Sequence, residues 1–85
     1  MKIEQITTEL IGKRVSCIEN GYRVTGTITG IGEDEYTKWA TIRFNTPLTC
    51  WSGDYNTESW IEKEYNSWAR KSDGTGNWTY TELIP

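Results

Sequence analysis

The amino-acid sequence predicts an all-β domain of five strands, strongly bent into a small barrel. A short N-terminal helical turn and a long insertion between strands 3 and 4 complete it. Three observations carry this reading. Asn20-Gly21 lies between two runs rich in β-formers, RVSCIE and YRVTGTITGI. Asn-Gly in that setting is the strongest short-range hairpin signal, because both turn positions need positive φ. The second run alternates, with Tyr22, Val24 and Ile28 on one side and Arg23, Thr25, Thr27 and Thr29 on the other. That is the pattern of a strand with one buried and one wet face. Glycines at 26 and 30 fall on the buried parity of this run, and Gly32 follows. Glycine inside a strand marks a bend, a bulge or a close backbone approach, and a strand bent at glycines lets a small sheet curl.

The elements follow in order. Ile3, Ile6, Leu10 and Ile11 have helix-like spacing and predict a short helical turn over residues 4 to 11, stopped by Gly12. Strand 1 is placed at residues 13 to 19 and strand 2 at 22 to 32. Glu33-Asp34-Glu35 is a charged tip. Strand 3 runs from 38 to 45, with Ala40, Ile42 and Phe44 inward and Thr41 and Arg43 outward, and ends at Pro47, which cannot donate to a ladder. Residues 46 to 58 form a long connection, a length that is uncommon in compact domains and often functional. Ser59-Trp60-Ile61-Glu62 matches a capping box and predicts a helical turn over 58 to 64. Strand 4 is placed at 66 to 72 and strand 5 at 77 to 83, joined as a second hairpin through Asp73-Gly74-Thr75-Gly76. At 85 residues the chain makes one domain, residues 1–85.

The first half also carries a motif. Gly12-Lys13-Arg14-Val15 is followed by a strand to Asn20-Gly21, then Gly26-Thr27-Ile28, then Asp34. This stretch, about residues 3 to 35, resembles the opening motif of Sm-like small barrels and, more loosely, SH3-like barrels. The strand before the turn is one residue shorter than in that motif. The resemblance implies a strongly bent, five-stranded SH3-like barrel. It does not carry RNA binding across. Where Sm-like proteins use Asp-x-Asn and Arg-Gly, this chain has Asp34-Glu35-Tyr36 and Arg70-Lys71-Ser72.

Composition narrows the function classes. The chain is mildly acidic, with a formal net charge of −3. No basic face of the kind duplex nucleic-acid binders use is visible in the sequence. There is no histidine, so the usual general base and metal ligand is missing. No enzyme activity, metal or cofactor is expected. Asp54-x-Asn56-x-Glu58 has alternating oxygen ligands but lacks the glycine and distal glutamate of a calcium loop. The carboxylates Asp54, Glu58, Glu62 and Glu64 read as a solvated acidic face. No stretch is long and apolar enough for a signal peptide or a membrane span, which makes the expected location cytoplasmic, with Cys17 in the core and both thiols reduced.

The aromatics are the clearest functional signal. Seven of them, Trp51, Tyr55, Trp60, Tyr65, Trp68, Trp78 and Tyr80, fall after residue 50. Trp60, Trp68 and Trp78 are read first as closing the core. Trp51 and Tyr55 flank Ser-Gly-Asp without apolar periodicity and are candidates for exposure. Exposed Trp and Tyr anchor interfaces and stack on bases or sugars. Arg70 and Lys71 border the last hairpin, near Trp68 and Trp78. The candidate binding residues are therefore Trp51, Asp54, Tyr55, Trp60, Trp68, Arg70, Lys71 and Trp78. The expected function is a non-enzymatic protein–protein interaction module, by analogy an adaptor or a small phage-type inhibitor of a host defence protein. The alternative is a nucleotide or single-stranded nucleic acid held by aromatic stacking plus Arg70 and Lys71. Carbohydrate binding is a third reading. A homo-oligomer paired through strand 3 or strand 5 as an open edge is also expected.

Overall fold

The computed structural model describes residues 1–19, 22–47 and 64–85. It is all-β. Five strands form one antiparallel sheet: β1 (Arg14–Glu19), β2 (Tyr22–Glu33), β3 (Thr37–Pro47), β4 (Glu64–Arg70) and β5 (Glu82–Leu83). Their order across the sheet is β4-β3-β2-β1-β5. The predicted N-terminal turn is two short 3₁₀ turns, Ile3–Gln5 and Thr8–Leu10. They run into Gly12, whose φ of 90° reverses the chain into β1.

The core follows from alternation. Val15 and Cys17 of β1, Val24 and Ile28 of β2, Ala40, Ile42 and Phe44 of β3, and Ala69 of β4 are buried, together with Ile6, Leu10 and Trp78. Two of the glycines in β2 have separate uses. At Gly26 a Cβ would lie 2.6 Å from both Arg43 O and Ile42 Cγ2 of the neighbouring strand. Only a bare backbone passes there, which is the close approach expected. Gly30 corrects the sequence reading. The register shift between Ile28 and Gly30 inserts Thr29 as an extra residue, so Gly30 pairs with Thr41 on the outward face rather than the buried one. Thr25, predicted outward, is buried at 7% exposure beside the register shift between Thr25 and Gly26. The Tyr22 side chain lies outside the described residues.

The C-terminal region differs most from expectation. Residues 77 to 83 are not one strand hairpinned onto strand 4. Asn77–Tyr80 is a 3₁₀ turn, and only Glu82–Leu83 is strand. That strand pairs with β1, through Val15↔Leu83 and Ser16↔Glu82. Trp78 explains the departure. Its indole is fully buried and donates from Nε1 to Lys2 O at 2.9 Å. Placing so large a side chain under the sheet requires the chain to leave the strand path and return along β1. The buried Ser67 and Thr81 hydroxyls meet at 2.7 Å.

Asn77 ties the two sides of the curled sheet together. Its Oδ1 accepts from Trp68 N at 2.6 Å, and its Nδ2 donates to Tyr65 Oη at 2.5 Å. Tyr65 Oη in turn donates to Ile18 O of β1 at 3.3 Å. Strands β4 and β1 are separated by β3 and β2 in the ladder, so this contact records how far the sheet bends. No buried side-chain nitrogen or oxygen among the described residues lacks a partner, as a polar group out of water requires.

The edges also correct expectation. β3 lies between β2 and β4 and is not an edge, whereas β5 does end the sheet. The outer edge of β4 is capped by the turn that follows it: Trp68 N donates to Asn77, Arg70 N donates to Thr75 O at 2.7 Å, and Gly74 N donates to Arg70 O at 2.8 Å. This capping covers the Trp68–Arg70 end of the β4 edge, where another strand could otherwise add.

Candidate binding face

The outward positions of β3 and β4 are built by the same alternation that buries the core. Trp39, Thr41 and Arg43 intervene between buried Ala40, Ile42 and Phe44, and Asn66, Trp68 and Arg70 intervene around buried Ser67 and Ala69. The register sets them in rows: Thr37 beside Arg70, Trp39 beside Trp68, Thr41 beside Asn66, and Arg43 beside Glu64. Residues opposite each other on antiparallel strands share a face, so the two tryptophans form the middle of a continuous surface.

Each indole rests on a glycine. Gly32 pairs with Trp39. A Cβ built at Gly32 would lie 2.5 Å from Trp39 Cζ2, 2.6 Å from Nε1 and closer still to Cε2, the atom bonded to both. Near-equal approach to three adjacent ring atoms means that the ring covers the glycine with its face. On the β4 side, a Cβ at Gly76 would lie 2.8 Å from Trp68 Cε3 and collide with Trp68 O. Both side chains are half-buried. Each indole therefore keeps part of its surface at the outside of the sheet, where it can carry a planar or apolar group.

The surroundings are polar. Thr41 Oγ1 donates to Asn66 Oδ1 at 2.9 Å, and Asn45 Nδ2 donates to Thr27 Oγ1 at 3.1 Å. Tyr36 stands at the near end, 71% exposed. Its carbonyl accepts from Lys71 N at 2.8 Å, joining the β2–β3 turn to the turn after β4. Lys71 Nζ pairs with Glu33 at 2.6 Å. That hydrogen bond and the Lys71 charge hold the Glu33 carboxyl below its ordinary value. Asp34 is lowered by three bonds to one oxygen, from Tyr36 N, Thr37 N and Thr37 Oγ1. Asp73 is lowered in the same way by Thr75 N and Oγ1. These carboxylates shape turns.

The predicted site residues separate. Trp68 and Arg70 lie on this face, and Lys71 sits just past its end, engaged with Glu33. Trp78 is a correction: it is core, with no surface to offer a ligand. Trp51, Asp54, Tyr55 and Trp60, with the helical turn predicted over 58 to 64, lie outside the described residues, except that Glu64 opens β4. Trp39 was missed by reading from the sequence, although its parity with Thr41 and Arg43 on strand 3 was the available signal. The structure also gathers what the sequence scatters. All four arginines, Arg14, Arg23, Arg43 and Arg70, occupy outward positions of the sheet.

Fold and face together define a small all-β domain with an aromatic, arginine-bearing sheet surface. The chain belongs to the family described as "Domain of unknown function (DUF7258)", whose model matches residues 1–83. No curated protein and no solved structure matches it. Among the described residues, no helix is long and apolar enough to cross a membrane.

Proposed function

We propose that the chain is a non-enzymatic interaction module that binds a protein partner through the outward face of β3 and β4, acting as an adaptor or as an inhibitor that occupies a partner's surface. The observation that carries this reading is the Trp39–Trp68 row, seated on Gly32 and Gly76 and bordered by Thr37, Thr41, Asn66 and Arg70. An aromatic centre with a polar rim is the anatomy of a protein interface, and Trp, Tyr and Arg dominate its energetics. The SH3-like, Sm-like likeness of residues 3 to 35 is part of the same proposal, as is a cytoplasmic setting. The strand order and the β4-to-β1 contact through Tyr65 fit such a bent sheet.

The test is capture of a partner by the immobilised full chain, with nuclease treatment and salt washes alongside. A discrete protein retained through nuclease, and lost on Trp39→Ala or on Asn66→Glu, which sets a charge in the middle of the face without touching the core, supports the reading. Retention by both variants places binding elsewhere and defeats it.

A further inference from the structure

The charge on the outward face runs against the charge of the chain. The whole protein is −3. Among the described residues, the outward strand positions hold Arg14, Arg23, Arg43 and Arg70 against Glu64 and Glu82, a surplus of positive charge. Four acidic groups lie instead around the turns at one end of β3 and β4: Glu33 at the end of β2, Asp34 and Glu35 after it, and Asp73 beyond β4. Lysine contributes little here, since Lys71 is paired with Glu33 and Lys38 falls on the opposite parity from Trp39.

On β3 and β4 the two cations bracket the aromatics. Arg43, beside Glu64, lies at one end of the rows and Arg70, beside Thr37, at the other. At about 3.4 Å per strand residue, six positions separate them by roughly 20 Å. Between them stand Trp39, Trp68 and the Thr41–Asn66 pair. No ion pair engages Arg43 or Arg70 among the described residues, where the pair formed is Lys71 with Glu33. Guanidinium groups bind carboxylates in a bidentate fork and stack on aromatic faces.

We infer that the segment this face takes from its partner is acidic and aromatic: a short stretch with carboxylates for Arg43 and Arg70 and a tyrosine or phenylalanine ring between them for Trp39 and Trp68. This rests on the reading of the face as protein-binding. A peptide segment is favoured over a nucleic acid by the length of the cationic stripe. A polynucleotide carries a phosphate at every step and continues past both ends. Beyond Arg70 it meets Asp34, Glu35 and Asp73, whereas a short acidic segment stops within the stripe.

The experiment uses the full ¹⁵N-labelled chain and three probes at low salt: a short peptide alternating glutamate and tyrosine, the same peptide with lysine for glutamate, and oligothymidylate. The tryptophan indole N–H signals and the backbone amides of β3 and β4 are followed. The Glu–Tyr peptide is expected to shift the Trp39 and Trp68 indoles. Its affinity is expected to fall about tenfold or more in the Arg43→Gln/Arg70→Gln variant, in keeping with loss of two charge-assisted contacts, and to weaken with salt. Both substitutions are at exposed positions, and the unshifted core amides of the variant verify its fold. Binding of the lysine peptide as well as or better than the glutamate peptide, or of none of the probes, overturns the inference and leaves the protein-binding reading to the capture experiment. Tightest binding of oligothymidylate on the same amides overturns both.

Discussion

Two glycines four positions apart in β2 make opposite predictions for the same substitution. At Gly26 the methyl group of alanine would sit 2.6 Å from Arg43 O and from Ile42 Cγ2, and 3.1 Å from Arg43 C. Ordinary carbon contacts begin near about 3.5 Å, so β2 and β3 must separate by most of an ångström in the middle of their ladder. The Arg43 carbonyl is backbone and cannot swing aside, and the Ile42 methyl beside it is part of the packed core. Overpacking of this kind costs about 1–3 kcal/mol, and weakening one ladder hydrogen bond adds about 0.5–1.5 kcal/mol. Together they predict a loss of about 2–4 kcal/mol for Gly26→Ala, a large part of the stability of a domain this size. At Gly30 the methyl meets only Thr41 Cβ, at 4.0 Å, and the residue is not among the glycines of positive φ. Gly30→Ala is therefore predicted to stabilise by about 0.4–1 kcal/mol, by restricting the unfolded chain. Urea unfolding followed by tryptophan fluorescence measures both. At about 1 kcal/mol per molar in urea, the midpoints of the two variants should differ by about 2 M or more, with equal slopes. Midpoints within about 0.5 M of each other would refute the close-approach argument.

Three further outcomes follow from the same geometry. Trp78→Phe leaves a void and removes the donor to Lys2 O, and is expected to lower stability by about 2–4 kcal/mol in the same unfolding assay. Asn77→Ala strands the Trp68 amide and removes the donor to the Tyr65 hydroxyl, which keeps its bond to Ile18 O; a loss of about 1–3 kcal/mol is expected, with amide exchange at Trp68 accelerated and that of Ile28 unchanged. Asp34 and Asp73 are held below their ordinary value of 3.8 by hydrogen bonds to Tyr36, Thr37 and Thr75. Their contribution is thus present above that value and lost as pH falls through the lower folded-state values. A pH series of unfolding midpoints should show a decline in this acid range that flattens in Asp34→Asn and Asp73→Asn; an unchanged profile would count against the turn hydrogen bonds.

Most of the sheet was legible because it rests on local pattern. Alternation set β2 and β3, and Pro47 closes β3 as expected. The glycines signalled close approach, but not which one is shifted to the other face, since a bulge at Thr29 depends on the partner strand. The last strand was misplaced for a related reason. Residues 77 to 83 have β-like composition, yet burial of Trp78 and pairing with distant β1 decided their path. Both are tertiary effects that no short window contains. On the candidate face, Trp68 and Arg70 were legible as an aromatic and a cation close in sequence. Trp39 was not, because its neighbour is Trp68 only across the ladder. The arginine surplus was hidden by averaging charge along the chain, whereas strand parity sorts it onto one side.

The cap on β4 has a consequence for the order in which the chain assembles. Its donors and acceptors come from residues 74 to 77, a few positions downstream of the strand they cover. Closing so short a loop costs little entropy, so the cap can form together with β4. The other edge waits: β1 is covered only when Leu83 finds Val15, across most of the chain, where loop closure is slowest. During folding β1 therefore stays uncovered after the cap over Trp68 and Arg70 has formed. A chain lacking Glu82 and Leu83 offers that edge to another molecule.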